Sequence, residues 1–476
     1  MHRIQIGCTI LCNVWPGRMN CMTSTRRQLL GTAISALTAS QISAQPALRI
    51  STFQVDATPP MGSALCHGLV KPASRVGDPT TARGLILQGA GQPIVLCAVD
   101  WTGLGTDLHD TWRAELAKAV GTTSSRVMVH SLHQHDAPGC DFAMEKYLSQ
   151  YGMKNESCDP IWARQVIARS AAAAKNSQSL RQPVTHVGTG RGLVKEVAGN
   201  RRILGADGKV KYTRFSATKD AAVRAEPEGL IDPYVRLVSF WNGASPIASV
   251  TFYATHPQSN YGIGEVSADF VGIARENRKS AVPQAVHIHF NGASGNVTAG
   301  KYNDGSPENR LLLAGRLSEG MRRAWDATEK QSIVSADVGW YVEPVTLAIR
   351  AGITAAQAHT TLRDSKATKI AKLRAGFDLA WIDRAAQPID LAMLRLGDAR
   401  IVFMPGELFI EYQLAAQQMR PQSFVAMAAY GLYGMGYIGT AEAYGQGGYE
   451  TSEVSRVGPE AEPVLMEGMR KLFASL

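Results

Sequence analysis

Val127-Met128-Val129-His130-Ser131-Leu132-His133-Gln134-His135-Asp136-Ala137-Pro138-Gly139 is the stretch whose reading decides the fold class. Arg126 to His130 reads as a buried strand, because β-branched and apolar residues dominate it and polar turn residues follow. The three histidines fall at and just beyond its carboxyl end. In open α/β sheets that edge carries ligands, since its loops are exposed yet held on a rigid scaffold. In extended backbone His133 and His135 share a face. Two imidazoles on one face, followed by a Pro-Gly turn, make half of a metal site. The competing reading is histidines hydrogen-bonded in a polar loop.

Working outward, strands are expected over Leu48–Asp56, Ala82–Gln88 and Pro93–Asp100, and Asp107 opens a helix with Leu108, Trp112, Leu116 and Val120 on one stripe. An alanine-rich helix covers Asp159–Lys175. Val184–Val187 is a strand running into the Gly188–Gly192 loop. Further strands are expected at Val235–Trp241, Ile247–Tyr253, Ala285–Phe290, Ile389–Leu396, Arg400–Met404 and Phe424–Leu432. Helices are expected over Ala268–Lys279, Glu308–Ala327, Thr354–Phe377 and Pro459–Phe473, with another opened by Glu407. This is an α/β fold of mixed β-sheets flanked by helices. No internal repeat or linker shows in the pattern, so residues 45–476 read as a single catalytic domain.

His133, His256, Asn296 and Glu407 each follow an apolar strand and are set off by glycine or proline. Side chains leaving several strands at their carboxyl ends converge on one rim. Two imidazoles and a carboxylate leave an open position, as a catalytic zinc requires. Glu407 at a helix start is held in its ionised form by the helix dipole.

The 476-residue chain is 45% hydrophobic and carries a formal charge of +9. Arg3, Arg18, Arg26 and Arg27 supply four of those charges before residue 45, and the remaining basic residues are scattered, which excludes a nucleic-acid footprint. No apolar run has the length of a membrane span. Arg26-Arg27 precede a short apolar stretch, Leu29–Ala39, and Ile42-Ser43-Ala44 offers small residues for cleavage. Residues 1–44 are therefore expected to be a twin-arginine export signal, with upstream read-through before Met19 or Met22, delivering a periplasmic or secreted protein. Of the seven cysteines, Cys66, Cys97, Cys140 and Cys158 lie beyond that segment. Cys140 and Cys158 flank the loop after the histidine cluster and are placed to close it; Cys66 and Cys97 read as buried thiols.

Several motifs, taken in order, resemble the neutral/alkaline non-lysosomal ceramidase family. They are Leu132-His133-Gln134-His135-Asp136-Ala137-Pro138-Gly139, Ala254-Thr255-His256-Pro257, Pro405-Gly406-Glu407, and Gly436-Tyr437-Ile438-Gly439-Thr440-Ala441-Glu442-Ala443-Tyr444. Asn200-Arg201, Val55-Asp56-Ala57-Thr58-Pro59-Pro60 and Ala82-Arg83-Gly84-Leu85 fit as well, so the resemblance runs from about residue 50 to the end. It implies an α/β catalytic domain with zinc held by His133, His256, Glu407 and Tyr444. In such a site His135 or a nearby carboxylate would shuttle the proton, and Tyr444, with Arg201, would stabilise the oxyanion. Asn296 and Arg201 would border the substrate. Two departures stand out. The family's serine-bearing loop is Gly295-Asn296-Val297-Thr298-Ala299-Gly300 here, with Thr298 at the serine position and Ser294 as the other register. The carboxyl-terminal β-sandwich of many full-length members is expected to be absent here.

The expected function is an exported zinc amidohydrolase cleaving a small-molecule or lipid N-acyl amide, with transient membrane-surface contact and no transmembrane segment. Two other readings compete: a serine hydrolase using Ser294, which lacks a Gly-x-Ser-x-Gly elbow, and a metal-bearing binding protein without turnover. Within the tyrosine loop, Tyr437 is the alternative to Tyr444.

Overall fold

Near-continuous burial, with both faces covered, marks most of the strands that build the molecule. In the computed structural model, which describes residues 47–475, β1 (Arg49–Asp56), β2 (Thr81–Gly89), β3 (Gly91–Val99) and β4 (Val127–Ser131) form one sheet. Its order is β4-β3-β2-β1, extended by the two-residue strand Gln182–Pro183. Only β3 and β4 are parallel, joined by the crossover helix α1 (Thr106–Val120); α2 (Pro160–Ser177) packs beside α1 and on β1. Leu85, Leu96 and Met128 face one side of the sheet, while Ile86, Val95 and Val129 face the helices.

The same construction then recurs twice. β5 (His186–Leu193), β6 (Tyr234–Asn242), β7 (Ser245–Tyr253), α3 (Asp269–Ala281), β8 (Val286–Asn291) and α4 (Glu308–Asp326) give a sheet ordered β8-β7-β6-β5, again parallel only at β7 and β8. β9 (Val338–Val345), β10 (Ile389–Leu396), β11 (Ala399–Phe403), α5 (Ile410–Met419), β12 (Phe424–Ala428) and α6 (Ala461–Ala474) repeat it a third time, with order β12-β11-β10-β9 and the parallel pair at β11 and β12. The chain is thus a threefold βββαβα repeat. The sequence reading had excluded a repeat, because the three units share topology and burial pattern but no residue motif.

The inner faces of all three sheets share one core, to which Leu96, Met128, Val250, Ile288, Ile401 and Ala426 contribute. The carboxyl ends of the three parallel edge strands meet there. Ser131 N donates to the Tyr430 carbonyl (3.0 Å), Ala429 N to the Asn291 carbonyl (3.0 Å), and Asn291 Nδ2 to the Leu132 carbonyl (3.4 Å). Each third strand also ends beside its fourth, so six strand ends open on one rim.

Four local expectations are corrected. Gly188–Gly192 belongs to β5; a Cβ at Gly190 or Gly192 would sit 2.0 Å from the carbonyl of Ala324 or Gly320, so glycine is what lets α4 lie against the strand. The segment 354–377 is broken: Ala355–Arg363 and Lys369–Arg384 are separate helices, and the Thr368 hydroxyl caps the second. The last strand stops at Ala428, because Tyr430 takes a left-handed φ of 63°. Glu407 opens no helix; Glu407–Leu408 is a short strand and α5 begins at Ile410. Cys140 and Cys158 are bridged, while Cys66 and Cys97 are buried free thiols. The proposed export segment lies outside the described residues. Among the described residues no helix is long and apolar enough to cross a membrane.

Candidate metal centre

His133 stands two residues beyond β4 and Tyr430 two residues beyond β12, both in the left-handed region (φ 74° and 63°). A non-glycine residue held there costs on the order of 1–3 kcal/mol and persists where packing over-determines it. Here the two rings lie against each other, centroids 4.7 Å apart. His256 follows β7, and Glu407 follows β11. Three repeats therefore each send a side chain to one point.

At that point His133 Nε2 and His256 Nε2 each lie 3.1 Å from Glu407 Oε2, with all three side chains about 1% exposed. His135 Nε2 is 3.1 Å from His133 Nε2. The nitrogens of His133, His135 and His256 fall within 4.8 Å of one another. The far nitrogens are fixed: His133 Nδ1 donates to the Thr102 carbonyl and His256 Nδ1 to the Ser294 carbonyl, each at 2.7 Å. A carbonyl only accepts, so Nδ1 carries the proton and Nε2 presents a lone pair. Burial pushes His256 down to about 4, which keeps its ring neutral at pH 7. Three acceptors thus face one another with no hydrogen between them. A shared cation satisfies that arrangement, and two imidazoles with a carboxylate suit zinc.

The tyrosine loop closes the site. The two-residue strand Tyr437–Ile438 pairs in parallel with Glu407–Leu408, placing Tyr437 opposite Glu407. Its hydroxyl lies 3.1 Å from His256 Nε2 and 2.9 Å from the Tyr449 hydroxyl, and accepts from Arg201 Nη1 at 3.2 Å. Arg201 also donates to Tyr449 Oη and pairs with buried Glu450 (3.3 Å). Tyr433 donates to Glu407 Oε1 at 2.9 Å. His135 differs from the other two histidines. No carbonyl holds its Nδ1, which meets Cys66 Sγ at 3.7 Å, and the ring borders two cavities. One, about 300 Å³, is lined by Arg201, Phe215, Gln258 and Tyr261; the other, about 220 Å³, by Leu69, Ile370, Phe377 and Tyr433.

The remaining predicted residues lie elsewhere. Tyr444 sits on the helix Ala441–Gln446, one turn past the strand, and its hydroxyl bonds Ser455 Oγ (3.0 Å) and the Val457 carbonyl (2.8 Å). Tyr437, not Tyr444, is the tyrosine of this stretch that lies beside His256, because strand pairing with Glu407–Leu408 sets the register. Thr298 donates to the Arg214 carbonyl (3.0 Å). Asn296 donates to Glu411 and caps Ile410 N, lining a separate cavity. Ser294 Oγ bonds the Tyr430 hydroxyl at 2.7 Å. Tyr430, Tyr433, Tyr449 and Glu450 went unassigned in the sequence; the density of tyrosines after β12 was their only signal.

No family model and no curated protein matches the sequence. Solved structures do match. The neutral ceramidase from Pseudomonas aeruginosa aligns with a TM-score of 0.66 at 16% identity, over 90% of this chain and 75% of that one. A ceramidase complexed with C2 aligns with a TM-score of 0.67 at 15% identity, over 90% and 76%. This chain, with its three sheets meeting at a histidine-lined rim, has the fold of the neutral ceramidases.

Proposed function

We propose that the protein is a zinc-dependent amidohydrolase that cleaves an N-acyl amide, ceramidase-like in substrate class. The convergence of His133 Nε2, His256 Nε2 and Glu407 Oε2, each an acceptor, carries this reading. Zinc, when bound, polarises a carbonyl and activates water near neutral pH. The chain's own groups do the rest. Tyr437 keeps its proton, since burial and then Glu407 raise its phenol well above the usual value, so it donates where negative charge develops on the carbonyl oxygen. Arg201 Nη1 steadies that hydroxyl. Burial, then His133 and His256, hold His135 well below its usual value. It therefore starts neutral, able to take a proton at Nε2, and as a strong acid once protonated it passes the proton to the leaving amine.

The mouth suits an amphiphile. Phe215, Tyr261 and Ile370 line the two cavities yet are 52%, 54% and 48% exposed, a rim fit for an acyl chain or a lipid surface. The deciding experiment is metal analysis followed by a hydrolysis screen over N-acyl amides and ceramides. Full activity in metal-free protein, or no amide cleaved by the zinc-loaded form, would sink the proposal.

A serine mechanism at Ser294 has no support in the geometry: the hydroxyl bonds a tyrosine and no imidazole faces it. We expect a fluorophosphonate probe to leave the active protein unlabelled, and Ser294→Ala to retain activity within about tenfold, a positioning loss only. Stoichiometric labelling with loss of activity would reverse this. Export by the twin-arginine route is part of the proposal, resting on Arg26-Arg27 before the apolar stretch. Replacing both with lysine should leave precursor in the cytoplasm with residues 1–44 attached; normal trimming of that variant would refute the route.

A further inference from the structure

Glu407 has two carboxylate oxygens, and the structure treats them differently. Oε2 faces His133 and His256, whereas Oε1 receives the Tyr433 hydroxyl at 2.9 Å. Tyr433 in turn is clamped. Its ring lies parallel to His67, centroids 5.3 Å apart and planes 7° apart, and Phe377 meets His67 edge-on at 4.9 Å. His67 is 1% exposed, yet neither ring nitrogen has a hydrogen-bond partner. A buried imidazole that uses neither nitrogen is kept for its flat shape, at a desolvation cost. The backbone beneath it is strained as well: Cys66 and His67 have φ of 47° and 53°. Space for the ring is made by two glycines, since a Cβ at Gly103 or Gly139 would stand 2.7 Å or 2.3 Å from His67 Nε2.

We propose that Tyr433, locked by the His67 stack, is a positioning residue that confines Glu407 to one-oxygen donation. This rests on the metal reading above. A carboxylate with both oxygens free swings between one-oxygen and two-oxygen binding, and the second oxygen would take the position that water or substrate needs. Committing Oε1 to a phenol removes that option. It leaves the remaining approach, on the side of His135 and Tyr437, open to the two cavities. Partners of this kind, one bond behind a ligand, are worth roughly 10–100-fold in metal affinity.

The test is zinc affinity of the full chain, measured by competition with a chromophoric chelator. Tyr433→Phe keeps the ring and its stack and removes only the hydroxyl. It should bind zinc about 10–100-fold more weakly, and X-ray absorption at the zinc edge should gain one oxygen neighbour as both carboxylate oxygens engage. The same substitution added to Glu407→Ala should cost nothing further, because Tyr433 acts through Glu407. Should Tyr433→Phe fold poorly, His67→Ala frees the same ring and should weaken zinc binding in the same direction, again only when Glu407 is present. Zinc affinity of Tyr433→Phe within twofold of wild type, or an equal loss in the Glu407→Ala background, overturns the inference while leaving the metal site standing. Wild-type protein that takes up no zinc removes both.

Discussion

If the proposed site is right, His256→Ala should purify with well below one zinc per chain and lose amide hydrolysis by at least about a thousandfold. The physical reason is that His256 supplies one of three lone pairs aimed at a single point, fixed there by the bond from its Nδ1 to the Ser294 carbonyl. The metal is asked for several kcal/mol of transition-state stabilisation, and each 1.4 kcal/mol is about tenfold in rate. His130 provides the comparison. It is equally buried, but its Nδ1 donates to the Ala429 carbonyl at 2.7 Å and its ring packs between Phe290 and Phe403. His130→Gln should keep its zinc and lose roughly 1–3 kcal/mol of stability. Metal analysis and a denaturant titration decide both; a fully metallated His256→Ala protein refutes the site as drawn.

Tyr437→Phe is expected to lower kcat by roughly a hundredfold, the scale of losing one oxyanion donor, with KM and zinc content little changed. The hydroxyl stands 3.1 Å from His256 Nε2 and is steadied by Arg201 and Tyr449, so its bond strengthens as charge grows on the carbonyl oxygen. Tyr444→Phe removes a different oxygen, one that bonds Ser455 and Val457 on the far side of a helix start. It should leave kcat unchanged and cost about 1 kcal/mol of stability. Steady-state kinetics on the two variants side by side separates them. Loss of activity in Tyr444→Phe, with Tyr437→Phe unharmed, reverses the assignment.

That reversal between two tyrosines shows what a short motif can carry. Both belong to the stretch Gly436–Tyr444, and each follows glycine or alanine in a loop with no periodicity to rank them. The pairing of Glu407–Leu408 with Tyr437–Ile438 decides between them, and it joins strands from 30 residues apart. Thr298 and Asn296 went the same way. Each follows a strand, as His133 and His256 do, but their partners are Arg214 and Glu411. A strand end says that a side chain is near the rim; it does not say toward which neighbour the side chain turns.

The sequence by itself placed most of the strands and helices, because buried strands read as short apolar runs and helices as a period of 3.6. The strand Val338–Val345 and the break within 354–377 left no such mark. It also placed His133, His256 and Glu407 at strand ends, since glycine and proline mark where strands stop. The tertiary structure alone decided that three βββαβα units repeat, that their parallel edges meet at one rim, and that Tyr437 and Tyr433 face the carboxylate. Periodicity records only whether a residue is buried. The partner is set by strand pairing and by hydrogen bonds between residues such as Ser131 and Tyr430, far apart in the chain, which no local pattern encodes.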